Sequence, residues 1–86
     1  MKKNVKAMYF YAYWDNNEDS KDLFLDECRK HEMPYEVIDC ESELGVKLSC
    51  KYGVKLCPMV VFFKDGKEVG RFIGNHAYKQ VQNFVK

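Results

Sequence analysis

The stretch KYGVKLCPMVVFFKDGK, residues 51–67, decides the fold of this chain. Within it, an apolar run at 59–63 leads into the tetrapeptide KDGK, and a second run of β-type residues follows at 68–73. Asp-Gly between two such runs is a strong signal for a β-hairpin. Gly53 stands where the C-cap of a helix belongs. The stretch therefore predicts the end of a helix, a connecting loop and a hairpin.

Upstream, the chain alternates strand-like and helix-like segments. Residues 5–14 (VKAMYFYAYW) are aromatic and have few polar side chains, which suits a central strand buried on both faces. Residues 20–33 place apolar side chains at helical spacing, and Pro34 ends that helix. The segment 35–39 (YEVID) is a second strand, so the first half predicts a right-handed βαβ unit with a parallel strand pair.

Two further helices complete the prediction. Residues 42–52 form one, and Asn75 caps a last helix that buries Tyr78, Val81 and Val85. The order β-α-β-α-β-β-α predicts an α/β fold with a four-stranded mixed sheet. At 86 residues the chain is long enough for one domain, which we place at 1–86.

Composition and charge exclude several classes of protein. The longest strictly apolar run is too short to cross a bilayer, so we expect no membrane span. The net charge of +1 argues against a strongly basic nucleic-acid binder. Residues 1–14 lack the pattern of a secretory signal, so we expect a cytoplasmic protein whose four cysteines are reduced.

The stretch 51–67 resembles the C-terminal half of a thioredoxin, in which a KYGV segment leads to a cis-proline and then to a hairpin. Gly74 matches the glycine at the end of the next strand, and residues 10–14 (FYAYW) resemble the strand that leads to the active-site motif of that family. The resemblance covers nearly the whole chain and implies a thioredoxin-like fold with a cis-proline loop at Pro58.

The chain departs from that family at the active site. Where thioredoxins carry Cys-x-x-Cys at a helix N-terminus, residues 15–18 here read Asp-Asn-Asn-Glu. Asp15 and Glu18 occupy the positions of the two lost thiols and can form a capping box. In this chain Tyr9 occupies the position of the buried acidic residue on the first strand of that family. Two parts of the dithiol machinery are therefore absent.

The four cysteines receive different interpretations. Cys28 lies on the apolar helix face and is expected to be an inert core residue. We interpret Cys40 and Cys50 as structural or incidental. Cys57 directly precedes Pro58 and is the candidate reactive thiol. Because no Cys-x-x-Cys or His-x-x-x-His pair is present, we expect no metal and no cofactor.

These observations leave three functions open. The first is a redox-inactive module, leaning away from an enzyme, that binds a protein or an extended peptide in a cis-proline groove. The resemblance implies that this groove is lined by Trp14, Asp15, Cys57, Pro58, Ile73 and Gly74. The second is an atypical single-thiol or rearranged thiol-disulfide oxidoreductase that uses Cys57 with Cys40 or Cys50. The third is a subunit whose acidic segment 15–43, with eleven negative and three positive residues, docks a basic partner.

Overall fold

A computed structural model describes residues 4–12 and 18–84, apart from the side chains of residues 18, 19 and 75. Its elements run in the order strand, helix, strand, helix, strand, strand and two 3-10 helices. They are β1 Val5–Tyr11, α1 Glu18–Lys30, β2 Tyr35–Asp39, α2 Glu43–Tyr52, β3 Met59–Lys64, β4 Lys67–Ile73, and 3-10 helices at Gly74–Lys79 and Val81–Phe84.

The four strands form one mixed sheet in the order β2-β1-β3-β4. β1 is parallel to β2 and antiparallel to β3, and β3 pairs with β4 as an antiparallel hairpin. The register aligns Tyr11 with Asp39 and Phe10 with Met59. The end of β1, the end of β2 and the start of β3 therefore lie at one edge of the sheet, and this edge carries the candidate site.

Side chains alternate along the strands and contribute to two separate hydrophobic cores, one on each face of the sheet. The first core lies under α1 and the 3-10 helices and contains Val5, Ala7, Tyr9, Phe24, Cys28, Met33, Val60, Phe62, Ala77 and Val81. The second lies on the α2 side and contains Met8, Phe10, Ile38, Val54, Val61 and Phe63. Because the central strands β1 and β3 contribute to both, they read as nearly continuous apolar runs in the sequence.

Most predicted elements are present with small shifts at their ends. β2 has the predicted bounds, and α2 begins at Glu43 after its N-cap Ser42, whose hydroxyl accepts a hydrogen bond from the Gly45 amide at 2.9 Å. Gly53 has a φ of 65° and forms the predicted left-handed C-cap of α2. Strand β1 ends at Tyr11, whereas the sequence extends it to residue 14, and residues 13–17 lie outside the described part.

The prediction for the last helix is wrong in type and in its cap. The segment forms two 3-10 helices, and the first begins at Gly74 after Ile73, which provides no side-chain cap. The Gly74 amide donates to the Pro58 carbonyl at 2.9 Å, which fixes where this helix begins. Val81 is fully buried and Tyr78 partly, as the pattern predicts, while Val85 lies outside the described residues.

No helix in the described part of the chain is long and apolar enough to cross a membrane.

Candidate functional site

The site is built around the loop that joins α2 to β3. The peptide bond between Cys57 and Pro58 is cis, and Pro58 is buried. Gly74 lies against the proline ring, since a Cβ placed on Gly74 would come within 2.6 Å of the Pro58 Cβ and 3.1 Å of the Tyr9 hydroxyl oxygen. Only glycine fits this approach, so the glycine that follows β4 packs directly on the proline loop.

The backbone of Cys57 has no backbone partner in the described part of the chain. Within residues 4–12 and 18–84, neither its amide nor its carbonyl takes part in a backbone–backbone hydrogen bond. Two large apolar side chains near this backbone are exposed to solvent, Leu56 at 65% and Ile73 at 54%. An amide and a carbonyl beside exposed apolar side chains are the features that an added peptide strand uses.

The turn between β2 and α2 places Cys40 at the same edge. The Cys40 amide donates to the Tyr11 carbonyl at 2.8 Å, which extends the β1–β2 ladder by one residue. The Asp39 carboxylate accepts from the Glu41 amide at 2.9 Å, and the Ser42 hydroxyl donates to the Asp39 carbonyl at 2.7 Å. These short local hydrogen bonds hold the chain that carries Cys40 at the start of α2.

Cys40 and Cys57 are joined by a disulfide in this structure. Cys40 follows β2 and Cys57 precedes β3, and β1 lies between these two strands in the sheet. Two strands separated by a third are about 9.6 Å apart. The Cα atoms of the two cysteines are only 7.4 Å apart. The two loops therefore converge over the end of β1. The expectation that all four cysteines are reduced is wrong for this pair, and Cys40 is not incidental.

Cys50, by contrast, is a free and exposed thiol. An open cavity of about 320 Å³ lies beside it and is lined by Cys40, Val46, Ser49, Cys50, Val54, Lys55 and Cys57. The hydroxyl oxygen of Ser49 is buried and has no hydrogen-bond partner in the described part of the molecule. Three of the four cysteines thus line one depression, together with Lys55.

The end of α2 is tied to the sheet by Arg71 on β4. Its guanidinium donates to the Tyr52 carbonyl at 2.7 Å and to the Gly53 carbonyl at 3.2 Å. The same group pairs with the Glu68 carboxylate at 2.6 Å and 2.8 Å, and these hydrogen bonds lower the pKa of Glu68 below its ordinary value. Arg71 therefore fixes the start of the loop that leads to Pro58.

Cys28 behaves as the sequence predicts. It is fully buried in the first core, and this burial raises the pKa of its thiol to about 12. Elsewhere within residues 4–12 and 18–84, no group of three or more His, Cys, Asp or Glu side chains is placed to hold a metal ion.

The structure brings together four of the predicted groove residues, namely Cys57, Pro58, Ile73 and Gly74. Trp14 and Asp15 lie outside the described residues, and Glu18 begins α1 without a described side chain. Cys40 was absent from the predicted groove. The one feature of the sequence that could have placed Cys40 at the site is its position directly after β2. Because β1 and β2 are parallel, they end at the same edge of the sheet.

Comparison with known proteins assigns the fold but not the activity. No protein-family model and no curated protein match the sequence. Among solved structures, the chain is similar to the thioredoxin of Fasciola hepatica, with 26% identity and a TM-score of 0.81 over 96% of this chain and 80% of that protein. It is also similar to the oxidised thioredoxin of Plasmodium falciparum, with 16% identity and a TM-score of 0.83 over 98% of this chain and 84% of that one. Thioredoxin O2 of Arabidopsis thaliana gives 17% identity and a TM-score of 0.83, over 98% of this chain and 77% of that protein. This chain therefore has a thioredoxin-like fold.

Proposed function

We propose that this thioredoxin-like domain is a binding module that captures an extended segment of another protein on the backbone of Cys57. The observation that carries the proposal is the open amide and carbonyl of Cys57 at the start of the cis-proline segment. An extended peptide that pairs there adds a short strand to the site. The exposed side chains of Leu56 and Ile73 offer apolar contacts for that strand.

Two features support binding without the usual dithiol chemistry. Residues 15–18 hold carboxylates and amides where the resemblance expects two thiols. The Cys57 thiol is also bonded to Cys40, so the residue presents its backbone rather than a free nucleophile. The partner is a protein or peptide, and a cytoplasmic location remains a prediction.

A peptide selected from a random phage-displayed library on the immobilised, oxidised chain tests the proposal. Titration of the selected peptide into the isotope-labelled chain is expected to shift the Cys57 amide resonance most strongly. Ile73→Asp is expected to weaken binding by about tenfold or more, because it places a charge against an apolar contact. Val69→Asp is the matched control, since Val69 lies on the same strand, is 45% exposed and is four residues away from Ile73.

The affinities of the two variants for the selected peptide test whether the peptide binds at the Cys57 loop. If the selected peptides bind Ile73→Asp and Val69→Asp equally well, or if no resonance near Cys57 responds, peptide capture at this loop is wrong. A loss of affinity in both variants would place the peptide along β4 instead and would also contradict the proposal.

A second candidate function is favoured by the disulfide itself, which makes Cys40 and Cys57 a redox pair. In the reduced state the two thiols would pass two electrons to a disulfide of a partner protein, release two partner thiols and re-form the Cys40–Cys57 bond. Reduction of glutathione disulfide by the prereduced chain tests this activity. Cys57→Ser is expected to abolish it, while Cys28→Ala, which changes only a buried thiol, is expected to leave the rate unchanged.

A further inference from the structure

The cavity beside α2 is lined by a free thiol and by both cysteines of the disulfide, a combination that neither candidate function uses. Cys50 contributes the exposed free thiol, and Cys40 and Cys57 contribute the disulfide. Residues 54–58 between α2 and β3 form neither helix nor strand, so Cys57 lies on an irregular segment only seven residues beyond Cys50. Thiol–disulfide exchange requires this combination of a thiolate with access to a disulfide sulfur.

We propose that Cys50 is the attacking thiol of an internal exchange that replaces the Cys40–Cys57 disulfide with a Cys50–Cys57 disulfide. The Cys50 thiol gives its proton to solvent, and its thiolate attacks the sulfur of Cys57. The Cys50–Cys57 bond forms as the Cys40–Cys57 bond breaks, and the electron pair leaves on Cys40, which takes up a proton from solvent. No net oxidation occurs, so the exchange needs no external oxidant or reductant.

Cys57 is the sulfur that Cys50 attacks, because the segment that joins them is irregular, whereas helix α2 separates Cys50 from Cys40. When Cys57 is attacked, Cys40 is the leaving sulfur.

Lys55 lines the same cavity and adds a positive charge for a thiolate formed there.

The four cysteines fall in four different tryptic peptides, which makes the exchange directly measurable. Cys28 lies in 22–29, Cys40 in 31–47, Cys50 in 48–51 and Cys57 in 56–64. The oxidised chain is incubated at about pH 8, near the ordinary pKa of a thiol, pulsed with N-ethylmaleimide, and digested without reductant for mass spectrometry. We expect a linked pair of 48–51 with 56–64, accompanied by alkylation of Cys40, at a rate that does not depend on protein concentration.

Variants separate the exchange from mere exposure of Cys40. Cys50→Ser is expected to lower the alkylation of Cys40 by about tenfold or more, because the attacking thiol is gone. Cys28→Ala, which removes a buried thiol outside the cavity, is the control that leaves the exchange unchanged. Alkylation of Cys40 that is unaffected by Cys50→Ser would overturn the inference, as would complete alkylation of Cys50 with only the 31–47 and 56–64 peptides linked.

The inference stands apart from peptide capture, which rests on the backbone of Cys57 rather than on its sulfur. If all of Cys40, Cys50 and Cys57 are alkylated in the oxidised preparation, both the exchange and the redox pair are refuted. The comparison of Ile73→Asp with Val69→Asp would still decide peptide capture.

Discussion

The disulfide is expected to supply a large share of the stability of this domain. Reduction of the Cys40–Cys57 bond opens a loop with a sequence separation of 17 residues. The chain-entropy relation assigns about 3 kcal/mol to closing a loop of this length in the unfolded chain. A domain of 86 residues has a total unfolding free energy of roughly 5–10 kcal/mol, so the bond contributes about a third or more of it.

Urea denaturation of one protein in two redox states measures this contribution. The Cys50→Ser variant is the appropriate background, because it removes the exposed thiol that could exchange with the disulfide. Unfolding is followed by circular dichroism with and without a phosphine reductant. At a slope of about 1 kcal/mol per M urea, the loss of about 3 kcal/mol is expected to lower the midpoint by about 3 M on reduction.

A control separates the disulfide from other effects of the reductant. The double variant Cys40→Ser, Cys50→Ser has no such bond, so its midpoint is expected to be the same with and without phosphine. If the oxidised and reduced forms of Cys50→Ser unfold at the same urea concentration, the reasoning from loop closure is refuted. A fall in the control that matches that of Cys50→Ser would likewise show that the bond is not the cause.

Three further predictions address the packing and the charges around the site. Gly74→Ala is expected to destabilise the fold by about 1–3 kcal/mol, because the added methyl overlaps the Pro58 ring; an unchanged thermal midpoint would contradict the close approach. The Glu68 carboxylate, whose pKa is lowered by Arg71, contributes stability above its ordinary pKa that is lost as the pH falls through the lowered value. Because that side chain is 36% exposed, the contribution is under about 1 kcal/mol. Glu68→Gln should therefore lower the neutral plateau of a stability–pH curve by that amount and make its acid limb less steep. Cys28, with a pKa of about 12, is expected to resist iodoacetamide until the chain unfolds in urea, and rapid labelling of the native protein would show that its helix opens locally.

The hairpin and helix α2 could be predicted from sequence because local chemistry specifies them. Asp65 and Gly66 both have positive φ in the turn between β3 and β4, as an Asp-Gly hairpin requires. Gly53 and Ser42 end and begin α2 through contacts within a few residues of themselves. The start of the last helical segment could not be predicted in this way. It is set by the hydrogen bond from the Gly74 amide to the Pro58 carbonyl, sixteen residues earlier in the chain.

By itself, then, the sequence predicted the elements from β1 to β4, the hairpin and the C-cap of α2. These depend on spacing, capping and turn chemistry that act within a few residues. The cis-proline loop was predicted from the family resemblance, and the absence of a Cys-x-x-Cys motif is a direct property of the sequence. The tertiary structure alone decided that Cys40 and Cys57 meet and that Cys50 shares a cavity with them. It also decided that Arg71 holds the carbonyls of Tyr52 and Gly53. The physical reason is the register of the sheet, which brings the end of β2 and the start of β3 to one edge through pairings with β1 that no short stretch of sequence encodes.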